Sequence, residues 1–492
     1  MRIAFLNPQG NFDPHNSYLA SHSDFGGQLV YVREVARTLG KMGHRADILT
    51  RRVVDPEWPE FASDTESYPD HENVRILRVP CGPDRFLPKE ELWPYLGEWA
   101  EGVGRLYREE GSWPDLWTGH YADGGLAATL LEETSGVSFT FTGHSLGAWK
   151  LDSLLQGSND PEVLREADTG YNFGPRIEAE HAAMARSAAV VTNSVAERRE
   201  QYDHPAYRDA IDIGDDGRFA VIPPGVNFEI FDPDARSPHE EEALERIQTA
   251  HRRDIAPGRQ TLPAVIAWSR LDPKKNHLAL VEAFARHTGL RERANLIVVT
   301  RGLDDPFHDP DSVPEEEQPV LRAMISEVER SGLWGCVSAF DLSGQSSLAA
   351  LYRWGTNTGG VFCLPAEYEP FGMTVVEAMA VGLPVVATKN GGPRETTQGG
   401  LAGLLADPYD PDDIASQLLS LLSDGEAWQA YADRGREHAL ERYNWRRTAE
   451  GYLRLCEEAA WGERKGDASF PLPEFVRRPA ELPRLIGWQK AE

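Results

Sequence analysis

The chain has 492 residues, of which 41% are hydrophobic and 26% charged, a composition typical of a globular protein large enough for two or three domains. Its net charge of −28 argues against general binding to nucleic acids or anionic membranes, because those surfaces repel acidic proteins. No apolar run in the sequence approaches the roughly 20 residues that a membrane helix needs.

The first half of the chain alternates short apolar runs with helical periodicity. The opening run Met1–Leu6 leads directly into a turn and is too short for a signal peptide, so we predict a cytoplasmic protein. Helical spacing over Val30–Leu39 ends at Gly40. Buried parallel strands are predicted for the apolar runs Ile3–Leu6, Ala46–Leu49, Val74–Val79, Leu116–Thr118, Phe139–Thr142, Ala189–Thr192 and Phe219–Ile222.

The second half repeats this alternation after Pro223–Asn227, a segment whose two prolines and glycine suit a linker. A last long helix is predicted from about Trp445 to Glu458. Strands are predicted at Ala264–Trp268, Leu296–Thr300, Val337–Phe340, Gly360–Leu364, Pro384–Thr388 and Gly403–Leu405.

The pattern predicts an α/β protein with two facing, doubly wound (Rossmann-like) parallel-sheet domains. We expect an N-terminal domain over residues 1–226 and a C-terminal domain over residues 227–442. The C-terminal helical segment, about 443–492, is expected to pack back on the first domain. Because ligands bind beyond the carboxyl ends of the strands in such sheets, we expect the chemistry in the cleft between the two halves.

The cysteines and lysines carry less information. Cys81, Cys336, Cys363 and Cys456 form no C-x-x-C pair and have no His at ligand spacing, so we predict reduced, packed thiols. Only eight of the 50 basic residues are lysines. Acid excess with scarce lysine is what a salt-rich cytoplasm favours. A codon bias toward arginine explains it equally well, and both interpretations stay open.

Three loops after predicted strands of the second half carry cations, acids or glycines. In the first, Arg270 and Lys275 lie beside a strand end, which suits a diphosphate whose negative charge grows as a sugar bond breaks. In the second, Gly372 leads into a helix whose first N–H groups favour an anion. Glu369 before this turn can face sugar hydroxyls, and Glu377 can accept two hydrogen bonds from a ribose diol. The third, Thr388–Glu395, is another glycine turn into a helix.

A segment of the first half supports a rival interpretation. Gly143-His144-Ser145-Leu146-Gly147 follows a predicted strand and has the G-x-S-x-G pattern of a hydrolase nucleophile elbow. A serine hydrolase also needs an acid and a later histidine at strand ends of the same sheet. Asp152 and His181 are available, but neither follows a clear strand. This interpretation also leaves the second half without a function.

Taken together, these loops resemble the retaining GT-B glycosyltransferases of family 4. That family carries Glu-x7-Glu, matched by Glu369 and Glu377, and an Arg and a Lys five residues apart, matched by Arg270 and Lys275. Thr142–Leu155 and the opening Phe5–Asp13 are similar to sucrose-phosphate synthases, and this resemblance runs nearly end to end. It implies transfer of glucose from UDP-glucose to fructose 6-phosphate, with sucrose 6-phosphate and UDP as products.

The resemblance also implies the site residues. His144 is expected beside the anomeric carbon, where it helps to hold the sugar as positive charge develops. The implied catalytic set is His144, Glu369, Arg270 and Lys275. The implied donor ligands are Gly27, Arg270, Lys275, Glu369, Phe371, Gly372, Met373, Thr374 and Glu377. The implied acceptor ligands are Gly26, Gln28, Lys89, Tyr121, Ser145, Lys150 and Arg176, of which the three cations suit a dianionic phosphate.

Several alternatives stay open at this point. A mannosylfructose-phosphate synthase would use GDP-mannose with the same acceptor, a sucrose synthase-like enzyme would use free fructose, and a silent sugar-phosphate binding protein would transfer nothing. We expect small-molecule substrates only, no tightly bound cofactor, and Mg²⁺ at most as a stimulating ion and not as a catalytic metal. Because no phosphatase-like segment follows, a separate sucrose-phosphate phosphatase is an expected partner.

Overall fold

The computed structural model describes residues 1–15, 17, 26–155, 158, 160–236, 240–300, 304–463 and 465–485. The chain divides into two compact units. Unit 1 comprises Met1–Pro223 and Trp445–Glu492, and unit 2 comprises Pro224–Asn444. The sequence placed the domain boundaries after residues 226 and 442. Among the described residues, no helix combines the length and the apolar character needed to span a membrane.

Unit 1 is built on an eight-stranded sheet with the order β3-β4-β2-β1-β5-β6-β7-β8, in which every neighbouring pair is parallel except β3 and β4. Its strands are β1 (Arg2–Asn7), β2 (Arg45–Arg51), β3 (Thr65–Tyr68), β4 (His71–Val79), β5 (Leu116–His120), β6 (Phe139–Thr142), β7 (Ala189–Thr192) and β8 (Phe219–Val221). Its first helices are α1 (Gly27–Lys41), α2 (Leu96–Glu109), α3 (Tyr121–Ser135), α4 (Gly147–Leu155), α5 (Pro161–Tyr171), α6 (Phe173–Arg186) and α7 (Val195–Gln201).

Unit 2 contains a six-stranded parallel sheet with the order β11-β10-β9-β12-β13-β14. Its strands are β9 (Ala264–Trp268), β10 (Asn295–Thr300), β11 (Val337–Asp341), β12 (Val361–Leu364), β13 (Val385–Thr388) and β14 (Leu404–Ala406). Its helices are α8 (Glu240–Asp254), α9 (His277–Arg286), α10 (Thr288–Arg293), α11 (Gln318–Arg330), α12 (Gln345–Asn357), α13 (Met373–Val381), α14 (Pro393–Thr396), α15 (Pro411–Leu422) and α16 (Gly425–Arg442).

Both sheets are buried on their two faces, which is why their strands are continuous apolar runs in the sequence. In β9, Ala264 and Ile266 enter one core, whereas Val265 and Ala267 enter the other. The strand β1 alternates in the same way, with Ala4 in one core and Ile3 in the other. The predicted class, two doubly wound parallel-sheet α/β domains, is therefore confirmed.

The last helix of the described chain, α17 (Trp445–Trp461), belongs to unit 1. Its buried residues Ala449, Tyr452 and Cys456 share a core with Val32 and Val35 of α1. The helix therefore packs on the first sheet, as we expected for this segment. All four cysteines are buried and free of disulfide bonds, as predicted.

One strand was not predicted. The edge strand β3 has the sequence Thr-Glu-Ser-Tyr and buries only Tyr68. An edge strand with polar, exposed side chains gives no apolar run, so periodicity cannot detect it. It pairs antiparallel with β4 and lies far from the switch point of the sheet between β2-β1 and β5.

Candidate active site

Three neighbouring strands of unit 2, β9, β12 and β13, end beside the three loops that the sequence singled out. Between β9 and β12 the chain order reverses direction across the sheet, which is where doubly wound sheets bind ligands. The loops are tied together by hydrogen bonds. Asn276 Nδ2 donates to the Pro365 carbonyl at 3.0 Å, and Gly392 N donates to the Glu369 carbonyl at 2.9 Å. The topology therefore brings all three loops to one place.

The centre of this group is an ion pair. Lys275 Nζ lies 2.6 Å from Glu369 Oε2, and Gly372 N donates to Glu369 Oε1 at 3.2 Å. Arg270, in contrast, is exposed and forms no ion pair with any described residue. The structure thus brings Lys275 and Glu369 together and holds the Glu369 carboxylate from both sides.

The third loop packs so closely against the loop of Glu369 that two of its residues must be glycines. Gly391 has a φ of +83°, and a Cβ placed on it would lie 2.3 Å from the Glu369 carbonyl oxygen. A Cβ on Gly392 would lie 2.4 Å from the Pro370 carbonyl oxygen. Only glycine lets these two backbones approach so closely. The Gly391-Gly392 turn therefore supports the loop that carries Glu369.

The helix α13 begins at Met373, directly after Gly372, which has a φ of +91°. The first N–H groups of a helix have no intrahelical acceptor, so those of Met373 and Thr374 are available to an anion. Phe371 is buried against Tyr443, with ring centroids 5.6 Å apart, so its ring belongs to the core, and its role as a donor ligand stays a prediction.

Glu377 lies one turn into α13 and is buried. Burial raises the pKa of Glu377 to about 8, and a hydrogen bond with the Gln345 side chain opposes this shift. The ligand-free protein therefore holds a protonated Glu377 at neutral pH. A ligand that needs the carboxylate would expel that proton.

In unit 1, the neighbouring strands β1, β5 and β6 end near another set of predicted residues. Tyr121 directly follows β5 and has a φ of +63°, and His144 follows β6 with a φ of +55°. Left-handed backbone is uncommon for residues other than glycine and is typical of functional positions. The two rings stack, with centroids 5.8 Å apart and an interplanar angle of 27°.

His144 also contacts a second histidine. Its Nε2 lies 2.9 Å from Nδ1 of His120, the last residue of β5. Burial lowers the pKa of His144 to about 3, and burial together with His144 lowers the pKa of His120 well below its ordinary value. Both imidazoles are therefore neutral, so one ring must donate and the other must accept.

Two of the predicted phosphate ligands gather around Tyr121. Burial raises the pKa of the Tyr121 phenol, and the nearby charges of Arg176 and Lys89 oppose that shift. The Arg176 Cζ atom lies 5.6 Å from the Tyr121 ring centroid, and its Nη2 donates to the Ser145 carbonyl at 2.5 Å. The guanidinium is held by Glu180, with Nε to Oε1 at 3.0 Å.

The third predicted cation contacts a different aromatic ring. Lys150 Nζ is 4.7 Å from the ring centroid of Tyr171, which ends α5, and its place beside Arg176 stays a prediction. At the start of α1, Gly26 occupies the N-cap and Gln28 is half-buried. A Cβ on Gly27 would meet no described protein atom within 4 Å, so internal packing does not require a glycine there.

Comparisons with known proteins show the family of this chain. The family model for a glycosyl transferase 4-like domain matches residues 26–213, and that for glycosyl transferases group 1 matches residues 251–438. A probable sucrose-phosphate synthase of Thermosipho melanesiensis is 38% identical over 97% of this chain and 99% of its own length. This chain belongs to the sucrose-phosphate synthase family.

Other members of the sucrose-phosphate synthase family give the same result. The spinach (Spinacia oleracea) sucrose-phosphate synthase is 34% identical over 92% of this chain, which spans about half of that enzyme's length, 47%. A solved sucrose-phosphate synthase from Thermosynechococcus elongatus covers 93% of this chain and 98% of its own at 24% identity, with a TM-score of 0.69. That likeness confirms the GT-B fold, and the family confirms a hexosyltransferase.

Within this family the rival hydrolase pattern has a different explanation. Asp152 pairs with His204 at 3.1 Å, and His181 pairs with Asp209 at 2.6 Å. Among the described residues, no histidine and acid therefore complete a triad with Ser145. Gly147, the last residue of the pattern, donates its N–H to both Glu180 carboxylate oxygens at 2.9 Å. It therefore helps to hold the carboxylate that binds Arg176.

The sequence interpretation of this family member missed three residues behind His144. His120, Thr118 and Tyr452 are buried and form a hydrogen-bonded chain with it. A signal was present, because Thr118 and His120 are two apart in a strand and therefore share one face. Tyr452 gave no such signal, since it is 332 positions from His120 in the sequence.

Proposed function

We propose that this chain transfers glucose from UDP-glucose to the 2-hydroxyl of fructose 6-phosphate with retention of the anomeric configuration, giving sucrose 6-phosphate and UDP. Membership of the sucrose-phosphate synthase family supports the proposal. The single observation that carries it is the grouping of Lys275, Glu369 and the start of α13 at adjacent strand ends.

The donor is proposed to bind in unit 2. Lys275 and Arg270 would neutralise the diphosphate, and the free N–H groups of Met373 and Thr374 would donate to its oxygens. Glu369 would accept hydrogen bonds from the sugar, and Glu377 from the ribose diol. In the ligand-free chain Lys275 is already engaged by Glu369. Donor binding would therefore exchange a carboxylate for a phosphate oxygen around the same ammonium group.

The acceptor is proposed to bind in unit 1. Arg176, Lys89 and Lys150 would hold the 6-phosphate together with Ser145, while Tyr121, Gln28 and Gly26 would contact the sugar. Gly27 would let the backbone approach the donor diphosphate. Charge-assisted contacts from cations suit a dianion, and they favour a phosphorylated acceptor over free fructose.

The proposed reaction proceeds on one face of the glucosyl ring. The bond from the anomeric carbon to the β-phosphate oxygen breaks, and the 2-hydroxyl oxygen of the acceptor bonds to that carbon on the same side. The hydroxyl proton passes to the departing phosphate oxygen. Lys275 and Arg270 would stabilise the negative charge on UDP, which grows as the bond to the sugar breaks. Trapping of a glycosyl-enzyme intermediate would contradict this front-face mechanism.

The test is a matrix of donors and acceptors. UDP-, ADP- and GDP-linked glucose, together with GDP-mannose, are each offered with fructose 6-phosphate or fructose, with and without Mg²⁺, and the products are identified. We expect sucrose 6-phosphate from UDP-glucose and fructose 6-phosphate without added metal, with Mg²⁺ only stimulating the rate. Mannosylfructose phosphate from GDP-mannose, or sucrose from free fructose, would instead identify one of the two alternative transferases.

The product carries a phosphate that this reaction does not remove. A separate phosphatase acting on sucrose 6-phosphate is therefore part of the proposal. Coupling the purified chain to such a phosphatase should convert the product to sucrose and inorganic phosphate in equal amounts. Free phosphate formed by the chain alone would argue against a separate enzyme.

A further inference from the structure

A hydrogen-bonded chain of three polar side chains runs behind His144 inside unit 1. Tyr452 Oη lies 2.6 Å from Thr118 Oγ1, which lies 2.6 Å from His120 Nε2, and His120 Nδ1 lies 2.9 Å from His144 Nε2. Tyr452 lies on α17, and the other members lie on β5 and directly after β6. The chain therefore links the last helix of unit 1 to the residue proposed to face the anomeric carbon.

The chain is dry. Tyr452, Thr118 and His120 each have a relative exposure of 0%. A buried neutral imidazole has one N–H donor and one acceptor nitrogen, so hydrogen bonds on both sides of His120 must run in the same direction. The direction of the hydrogen bond at Tyr452 therefore decides which nitrogen of His144 carries a proton.

One observation and one chemical argument set that direction. The hydroxyls of Thr140 and Thr142 also face the Tyr452 phenol, and neither meets the geometry of a hydrogen bond to any described residue, so both are available to donate to it. If they donate to the phenol oxygen, the phenol proton is left for Thr118. A phenol is also a stronger acid than an alcohol and therefore the better donor of the pair. Tyr452 then donates to Thr118, Thr118 to His120 Nε2, and His120 Nδ1–H to His144 Nε2.

We propose that Tyr452, Thr118 and His120 are positioning residues that fix the tautomer of His144, with its proton on Nδ1. Nδ1 of His144 has no hydrogen-bond partner among the described residues, so this N–H is left to donate to an oxygen of the bound sugars. The Nε2 lone pair is occupied by His120, so His144 acts as a donor and not as a base. Only the catalytic consequence of this arrangement rests on the proposed function.

The ring of His144 is positioned by its aromatic neighbours, but these do not select its tautomer. Tyr121 stacks on one side and Tyr31 meets the ring edge-on, with centroids 5.5 Å apart. Neither contact distinguishes Nδ1 from Nε2, whereas the hydrogen bond from His120 does.

The direct test is ¹⁵N NMR of the substrate-free protein labelled at its 14 histidines, with the His144 signals assigned by their loss in His144→Gln. We expect Nδ1 of His144 to be protonated and Nε2 to be unprotonated. The opposite pattern would overturn the proposal. This measurement does not depend on turnover, so it stays decisive even if the protein proves to use other substrates.

Variants then test whether the hydrogen-bonded side chains set the tautomer of His144. Thr118→Val keeps the shape and removes the hydroxyl, and should give mixed tautomers at His144, whereas Thr118→Ser should restore the parent spectrum. With the active substrate pair, kcat of Thr118→Val should fall about 10-fold, while both KM values change less than about twofold, the size expected for a partner that fixes a tautomer.

The matched control is Thr129→Val, which also removes a buried threonine hydroxyl in unit 1, there bonded to the Leu126 carbonyl at 2.6 Å. Its spectrum and kcat should match the parent. Equal losses in Thr118→Val and Thr129→Val would reduce Thr118 to a structural residue and overturn the proposal. An unchanged His144 spectrum in Thr118→Val would do the same. An absence of sucrose 6-phosphate synthesis by the parent would contradict only the proposed function.

Discussion

At the strand ends of unit 2, Lys275 and Glu369 form an ion pair 2.6 Å apart, whereas at the strand ends of unit 1, His120 and His144 share a hydrogen bond between two neutral rings. The first group is half-buried and carries formal charge, and its exposed neighbour Arg270 adds more. The second group is enclosed, and burial keeps both imidazoles neutral.

The difference teaches how each group must be built. A diphosphate is charged before, during and after the reaction, so cations on turns can neutralise it. A sugar carbon that gains positive charge only in the transition state needs neutral dipoles held in one orientation beforehand. The site in unit 2 therefore depends on charged residues that can be recognised in the sequence. The site in unit 1 depends on the orientation of the His144 ring, which several elements fix together.

The largest expected effect is on the charged side of this comparison. Lys275→Ala should lower kcat/KM by about 100-fold or more, because one preorganised contact to a developing charge can contribute roughly 2.7–4 kcal/mol. Steady-state kinetics with UDP-glucose measures it. The matched control is Lys274→Ala, which removes the neighbouring ammonium group from the same turn and should have a small effect. Unchanged turnover in Lys275→Ala would contradict the donor site.

On the acceptor side, Lys150→Ala should raise the KM for fructose 6-phosphate by about 10- to 100-fold, the range for a lost hydrogen bond to a charged group. The KM for UDP-glucose should change much less. Lys41→Ala, which removes an exposed lysine at the end of α1, is the control for net charge. If both KM values of Lys150→Ala rise together, Lys150 is not an acceptor ligand.

The support of Glu369 gives a matched pair of glycines. Gly391 and Gly382 both have a φ of +83°, but a Cβ on Gly382 would meet only Arg436 Cδ, at 4.0 Å. Gly382→Ala should therefore cost only the conformational penalty, about 1–2 kcal/mol. Gly391→Ala should cost more and also weaken UDP binding, because its Cβ displaces the backbone of Glu369. Denaturant melts and UDP titrations check both effects, and equal behaviour of the two variants would remove this role.

The smallest expected effect is the proton linked to Glu377. Because burial raises its pKa to about 8, UDP binding at pH 7 should release close to one proton if the ribose diol binds the carboxylate. UDP affinity should then fall by about tenfold per pH unit below 8, until the pKa of the complex is reached. Calorimetry in two buffers of different ionisation enthalpy measures the release.

The control is Glu377→Gln, whose UDP affinity should be lower and independent of pH in this range. The raised pKa of Glu377 also makes the free energy of unfolding depend on pH. The folded state binds this proton more tightly than the unfolded chain does, so its contribution is present below the ordinary pKa of glutamate and is lost as the pH rises through about 8. An absence of proton release on UDP binding at pH 7 would show that the neutral acid is the binding form.

The sequence by itself determined the two parallel sheets, since strands buried on both faces must be continuous apolar runs. It also determined the pairing of Lys275 with Glu369, because both residues lie in loops after strands that the βα alternation makes neighbours. Local patterns were sufficient wherever neighbours in the fold were close in the chain or marked by charge.

Only the tertiary structure decided the surroundings of His144. Tyr452 reaches Thr118 across 334 positions of sequence, and its helix α17 belongs to unit 1 although it follows all of unit 2. Neutral hydroxyls and imidazoles leave no periodic or charge signal that would reveal this chain. The pKa of Glu377 was likewise decided by packing, because desolvation depends on every element that covers a carboxyl group and not on the residues beside it in sequence.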